Sequence, residues 1–407
     1  MSSEPTYAAF AVTAPGLERL ALGELERLGS RDADVVAGGV TFGASRQLLY
    51  AANLHLRTAS RVLARIGVFR ATAFHELERR AGKIPWEAFV SPNLDVALRV
   101  TCRKSRLYHS DAVGERVASA IASRVVGVRF VGDAGDETDA PGRREQLIVV
   151  RLFHDQCTVS IDSSGDLLHL RGYRQAVGRA PLRETLAAAA LLASGWDAHA
   201  PLLDPMCGSG TIPIEGALIA RRIPPGLRRD FAFIRWPDFD ERTWRTLVAD
   251  AQSAILPSAP SPIQASDRDA GAVDAARANA DRAGVLADIE LTQRAISEVE
   301  PPADRSGWVV TNPPYGVRVG DRDRLRNLYA QFGKVLRARC PGWRVTVVSA
   351  APELERQTGL PLSATLRTRN GGIPVRLVSG DVPRVGERPG PRGHRATGRR
   401  RAVGDVE

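Results

Sequence analysis

Lysine is almost missing from this chain. Of its 56 Lys and Arg residues, all but Lys83, Lys104 and Lys334 are arginine. Cysteine is sparse as well: Cys102, Cys157, Cys207 and Cys340 are scattered and form no C-x-x-C pair. That spacing argues against a disulfide framework and a zinc site, and it points to reduced thiols. The seven histidines form no ligand cluster, so no metal is expected. No apolar run approaches transmembrane length, and the start "MSSEPTYAAF" has no signal-peptide pattern. The expectation is a cytoplasmic protein with no membrane partner. Acidic residues are outnumbered: the net charge is +10 and the pI about 10.0. Abundant Ala, Gly and Arg are open to coding bias, but the excess over acids still suits a nucleic-acid partner.

The most informative stretch is "TNPPYGVRVG" (311–320). Asn312 precedes a proline and is pushed toward extended dihedrals. Pro313 and Pro314 have fixed φ and no N–H, so the segment is stiff and its carbonyls stay free. The Asn312 side-chain carbonyl and the Pro313 backbone carbonyl can together accept both hydrogens of an –NH2 group. Tyr315 adds a flat ring that can stack on a planar group. The preceding "WVV" (308–310) reads as a buried strand, which puts the motif at a strand's carboxyl end, where open α/β sheets bind ligands. Taken alone, the stretch reads equally well as a Pro-rich turn.

A second motif, "PLLDPMCGSGTIPIEGALIA" (201–220), reads as an apolar strand ending at Asp204, a Gly loop and an amphipathic helix. It is no P-loop, because no Gly-Lys-Ser/Thr follows. Pro213 stands where a dinucleotide fingerprint needs glycine. Gly208 and Gly210 still permit close approach of a ligand to the backbone. In "IQASDRDAGAVDAARANADRAGV" (263–285) a strand ends at Asp267, placed to hold ribose hydroxyls, and Asp269 suits a helix N-cap. The 57 residues from Gly210 to Asp267 exceed the usual spacing of roughly 20 and imply an insertion at 221–262. Its Phe231, Phe233, Trp236, Phe239 and Trp244 are expected to form a small helical satellite core rather than a base-stacking surface.

The front of the chain alternates short units. Residues 1–70 read as β-α-β-β-α-β, a ferredoxin-like order. Residues 72–163 read as a second α+β unit with a polar loop at 132–146. Within it, "CRKSRLYHS" (102–110) brings Arg103, Lys104, Arg106, Tyr108 and His109 together, which suits phosphate contact and base stacking as well as it suits a solvated loop.

Together these motifs resemble the class I S-adenosylmethionine-dependent methyltransferases that act on exocyclic amines. With "SSGDLLHLRGYRQAVGRAPLRETLAAAALLASGW" (163–196), the chain resembles the bacterial RlmL family, which methylates guanine N2 in large-subunit ribosomal RNA. The resemblance implies a doubly wound, Rossmann-like α/β methyltransferase domain at 164–379. It would follow a ferredoxin-like domain at 1–70 and a THUMP RNA-binding domain at 71–163, with a disordered basic tail at 380–407. It implies S-adenosylmethionine held by Asp204, Pro205, Gly208, Ser209, Gly210, Thr211 and Asp267, with Thr185 as a further contact. Asn312, Pro313, Pro314 and Tyr315 would be the catalytic set, and 23S ribosomal RNA the partner. Ala295 stands where relatives carry an aspartate for the adenine, with Ser297 or Glu298 as substitutes. Some relatives carry a second methyltransferase domain that this sequence does not include. Other readings are transfer-RNA guanine-N2 methylation, DNA adenine methylation, protein glutamine methylation and a non-catalytic RNA-binding assembly factor. Pyrimidine-carbon methylation would need a cysteine nucleophile, and no cysteine has a suitable motif. The oligomeric state is left open.

Overall fold

The computed structural model describes residues 6–132, 142–174, 182–302, 305–315 and 322–384. The polar loop expected at 132–146 and the tail expected at 380–407 therefore lie largely outside the described residues. The chain forms two sheets. The first has eight strands in the order β2-β3-β1-β4-β8-β7-β5-β6. Its first half is β1 (Thr6–Thr13), α1 (Glu18–Arg27), β2 (Asp34–Val36), β3 (Gly39–Ser45), α2 (Arg46–His55) and β4 (Ala59–Arg70). This is the β-α-β-β-α-β order that the periodicity predicts. Gly38 takes φ +84° in the turn joining β2 to β3, where a side chain would be strained. Ser45 caps α2 by accepting the Leu48 N–H at 3.1 Å. The second half is α3 (Phe74–Ala81), β5 (Asp95–Arg103), α4 (Ser110–Ala122), β6 (Arg129–Val131), β7 (Gln146–Phe153) and β8 (Gln156–Asp162).

The two halves do not stand apart. β4 pairs antiparallel with β8 from Leu63↔Asp162 to Arg70↔Gln156, so one sheet runs across the expected boundary at 70/71. The 221–262 insertion also differs from its expectation. Phe231, Phe233 and Trp236 are buried in the core of the eight-stranded sheet, not in a satellite of their own. Phe233 stacks on Tyr50 with ring centroids 4.3 Å apart, and Trp236 meets Phe89 edge-on at 5.2 Å. Sequence shows that such aromatics want burial. It does not show that the nearest free apolar surface lies some 180 residues upstream.

The second sheet has the order β11-β10-β9-β12-β13-β15-β14. Its elements are α5 (Glu184–Ser194), β9 (Leu202–Asp204), α6 (Thr211–Ala220), α7 (Glu241–Ser253), β10 (Ile263–Asp267), α8 (Ala270–Ala283), β11 (Ile289–Gln293), β12 (Trp308–Thr311), α9 (Arg322–Arg339), β13 (Arg344–Ser349), α10 (Pro352–Gln357), β14 (Ser363–Asn370) and β15 (Ile373–Asp381). β9 to β13 are mutually parallel, and β15 and β14 close one edge antiparallel. Successive residues face opposite sides: Leu202 and Val310 pack with α5, α6 and α8, while Leu203 and Val309 pack with α9.

α6 is not the amphipathic helix the sequence suggests. Nine of its ten residues are buried, because the front module and the 171–174 segment cover its outer side. Arg57, just before β4, donates to the Leu218 and Ile223 carbonyls at 3.4 and 2.6 Å. Glu215 on α6 is fully buried and accepts from Tyr173 Oη at 3.1 Å and Arg171 Nε at 3.5 Å. The charge is thus paired and hydrogen-bonded where it leaves water.

Candidate active site at the strand switch point

From β9 the chain steps outward to β10 and β11, then returns to the other side of β9 to lay down β12. Ligands of open α/β sheets bind at the crevice this reversal opens. The Gly loop leaves β9 and the Asn-Pro-Pro-Tyr segment leaves β12, so adjacent strands deliver both motifs to one place.

The loop is tightly held. Gly210 caps α6 at φ +83°, and a Cβ there would lie 2.9 Å from the Ala276 Cβ. Gly208 has φ +53°, and a Cβ there would meet none of the described residues within 4 Å. Its need for glycine is conformational, and the space beside it is open to a ligand. Asp267 Oδ2 accepts the Gly208 N–H at 3.0 Å, and its Oδ1 accepts the Asp269 N–H at 3.0 Å. Asp269 caps α8 by accepting from Ala272 N at 3.1 Å, the role its position predicts. Asp204, expected as a cofactor ligand, is 1% exposed. It accepts from Thr311 Oγ1 at 2.7 Å and Met206 N at 3.3 Å. Burial raises its pKa to about 7, the nearby Asp267 charge adds to this, and the two hydrogen bonds oppose it.

On the other wall, Asn312 is partly buried, Pro313 buried, Pro314 exposed and Tyr315 half-buried. The buried Asn312 Oδ1 has no hydrogen-bond partner among the described residues. A buried acceptor left unpaired costs free energy on the order of 1–3 kcal/mol, so one kept at a ligand crevice points to a donor supplied from outside. Tyr315 packs beside Tyr329, Ala351 and Leu354, and its hydroxyl lies 3.5 Å from Asn370 Nδ2. Residues 316–321, the rest of the quoted stretch, lie outside the described residues.

Three partners of the site went unnoticed in the sequence. Thr311 ties the two motifs together through Asp204. Asn279 on α8 donates to the Ser209 carbonyl at 2.9 Å. Arg174 donates to Thr211 Oγ1 at 2.7 Å and lies 3.2 Å from the Glu184 carboxylate. Thr311, one residue before Asn312, could have been flagged as the hydroxyl at the strand's end. The other two lack any local signal. Thr185 sits buried in the first turn of α5, next to Glu184, whose pKa burial raises to about 7. Ala295 opens a single turn in which Glu298 Oε2 lies 3.4 Å from the Ala295 N–H.

The strand order and the Gly loop facing an acid on the next strand define an S-adenosylmethionine-dependent methyltransferase. Among the described residues the site fits that cofactor: open space beside Gly208, a carboxylate at the end of β10 and an unpaired acceptor across the crevice. Residues 171–378 match the RMKL-like methyltransferase domain, and residues 8–63 match the RlmL ferredoxin-like domain. The chain belongs to the RMKL-like methyltransferase family. It is 36% identical to a Synechocystis protein named as a candidate RNA methyltransferase, over 92% of this chain and 97% of that one. It is 38% identical to a Syntrophotalea carbinolica protein named ribosomal RNA large subunit methyltransferase K/L, over 92% of this chain. There it spans about half, 53%, of the longer protein. Among solved structures, SMU.472, a candidate methyltransferase complexed with S-adenosylhomocysteine, gives a TM-score of 0.80 at 30% identity, covering 92% of this chain and 97% of that one. A Listeria monocytogenes protein named by prediction as an N6-adenine-specific DNA methylase gives 0.80 at 33%, covering 92% and 96%. Among the described residues, no helix is long and apolar enough to cross a membrane.

Proposed function

We propose that the chain methylates the exocyclic N2 amine of a guanosine in 23S ribosomal RNA, in the cytoplasm and without a metal. The observation that carries the amine is the buried Asn312 Oδ1 at the crevice, which has no partner among the described residues. With the Pro313 carbonyl it accepts both amine hydrogens, bends the nitrogen out of conjugation and aims its lone pair. Tyr315 stacks on the base, which must leave its helix to reach it. Bound S-adenosylmethionine supplies an electrophilic methyl. A C–N bond forms as the C–S bond breaks, and the amine proton leaves to solvent. Asp267 holds the ribose hydroxyls, and the 204–211 loop with Thr185 holds the methionine part. Proximity and orientation supply much of the acceleration.

RNA as substrate is supported by the names of the Synechocystis and Syntrophotalea relatives. The choice of guanine N2 rests on the resemblance to the RlmL family, and so does a THUMP role for residues 71–163. The Listeria protein's name favours the rival, DNA adenine, which has the same –NH2 chemistry. Transfer RNA is the other rival. Purified protein with labelled S-adenosylmethionine, offered protein-free 23S RNA, transfer RNA and DNA separately, distinguishes them. N2-methylguanosine in the 23S digest is expected. Label in N6-methyladenine of DNA overturns the reading.

A further inference from the structure

The cofactor loop has a glycine on each side of Ser209, and both sit at positive φ, Gly208 at +53° and Gly210 at +83°. Glycine passes between left- and right-handed backbone at little cost, so the Ser209–Gly210 peptide can turn over more easily than most. A turned peptide exchanges a carbonyl for an N–H, and with it the sign of the partial charge shown to a ligand. Such a loop needs an anchor. One half of the peptide is held locally, since Gly210 N donates to the Cys207 carbonyl at 2.9 Å. The other half is held by α8. Asn279, which is buried, donates from Nδ2 to the Ser209 carbonyl at 2.9 Å.

Asn279 is itself aimed. Its Oδ1 accepts from Arg282 Nη2, one turn further along α8, and this fixes which end of the amide faces Ser209. Arg282 Nε donates to the Tyr173 carbonyl at 2.7 Å. Tyr173 is buried, and its hydroxyl donates to Glu215 on α6 at 3.1 Å. The same carboxylate accepts Arg171 Nε at 3.5 Å, and Arg171 Nη2 donates to the Arg57 carbonyl at 2.7 Å. Arg57 belongs to the front module, where its N–H donates to Glu24 of α1 at 2.8 Å. Residues 171–173 thus stand between the two sheets. They are bonded on one side to the front module and on the other to the helix that anchors the cofactor loop. A cation in the last turn of α8 is favourable against the helix dipole whatever it bonds. A guanidinium fork shared between a side-chain amide and a carbonyl of another segment is more than that role requires.

We propose that Asn279 and Arg282 are positioning residues for S-adenosylmethionine. They keep the Ser209 carbonyl turned onto α8 and so keep the loop in its binding shape, and residues 171–173 join that hold to the front module. A folded chain without the hold binds the cofactor more weakly, because part of the binding free energy then goes into ordering the loop. Once the cofactor is saturating, its methyl lies where it did before and transfer runs at the ordinary rate. The loss is therefore in affinity and not in the chemical step.

The test is calorimetric affinity for S-adenosylmethionine, beside single-turnover transfer at saturating cofactor to the nucleic acid that the product assay above identifies. Asn279→Ala is expected to weaken cofactor binding about tenfold, and Arg282→Met and Tyr173→Phe about threefold each. Asn279→Ala combined with Arg282→Met is expected to be no worse than Asn279→Ala alone, because the two residues act through one bond. Transfer rates should stay within about twofold of wild type in all of them. In the cofactor-free protein, hydrogen exchange over 207–212 should quicken in Asn279→Ala. Phe233→Ala, which loosens the front module away from these bonds, should lose stability and keep its cofactor affinity. Affinity within about twofold of wild type in folded Asn279→Ala overturns the proposal. So does a double variant about thirtyfold weaker, the product of two independent losses, or an equal weakening by Phe233→Ala. Unchanged affinity in Tyr173→Phe removes the front module from it. The affinity and exchange measurements need no substrate, so failure of the substrate reading and failure of this one are distinguishable.

Discussion

The two sheets solve the burial problem differently. The seven-stranded sheet is parallel through β13 and covered on both faces, so its strands are near-continuously apolar and only their carboxyl ends are available for chemistry. Asp204, Asp267 and Asn312 all stand there. Among the described residues, the eight-stranded sheet is mostly antiparallel and its helices pack on one face. Its strands alternate, and its free surface is a face rather than a rim. A covered parallel sheet concentrates function into a point where few residues are placed closely. A half-open sheet offers an area rather than a point. Substitutions should therefore be costly one at a time in the first and graded in the second.

The comparison breaks most visibly where the catalytic domain reaches into the other sheet. Phe233→Ala should cost about 3–5 kcal/mol of stability by emptying the site against Tyr50. Urea unfolding checks it, and a loss below about 1 kcal/mol would mean that the insertion is not part of that core. Next is the rim itself. Asn312→Ala should reduce turnover by about 10²–10³, as removal of one preorganised polar group does elsewhere, with cofactor affinity nearly intact. Single-turnover kinetics beside calorimetry would read both. Asp267→Ala should weaken S-adenosylmethionine binding, since hydrogen bonds to charged groups contribute about 1.5–3 kcal/mol each. Unchanged calorimetric affinity in the folded variant would remove Asp267 from the site.

A last effect, on pH dependence, concerns Asp204. Its pKa is raised from 3.8 to about 7 in the folded protein. The folded state then binds a proton that the unfolded chain has released, so this group stabilises fully below pH 3.8 and the contribution is lost as pH rises to about 7. Urea midpoints of the cofactor-free protein should fall across that window, and Asp204→Asn should flatten the fall. Parallel pH profiles for the two proteins would contradict the buried, raised carboxyl.

What was legible in the sequence follows from the range of the interactions. The ferredoxin-like order was readable because strand and helix periods are local, and Asp269 as N-cap because a cap binds three residues ahead. The stiffness of Asn312-Pro313-Pro314 is likewise written in adjacent residues. Thr311 on Asp204, Asn279 on the Ser209 carbonyl and Phe233 on Tyr50 were not readable. Each joins residues 70 to 183 positions apart, and nothing beside them in sequence signals the partner. The full burial of α6 escaped for a related reason: its outer side is covered by the front module, which periodicity within the helix cannot reveal.

The central claim is that the Asn312 rim methylates guanine N2 in 23S RNA. Nucleoside mass spectrometry on separated 23S RNA, transfer RNA and DNA tests it most directly. The samples come from a strain lacking the gene, complemented with wild type or with Asn312→Ala. The account predicts that N2-methylguanosine is depleted in 23S RNA alone, restored by wild type and not by Asn312→Ala. Loss confined to transfer RNA, loss of N6-methyladenine from DNA, or full restoration by Asn312→Ala would contradict it.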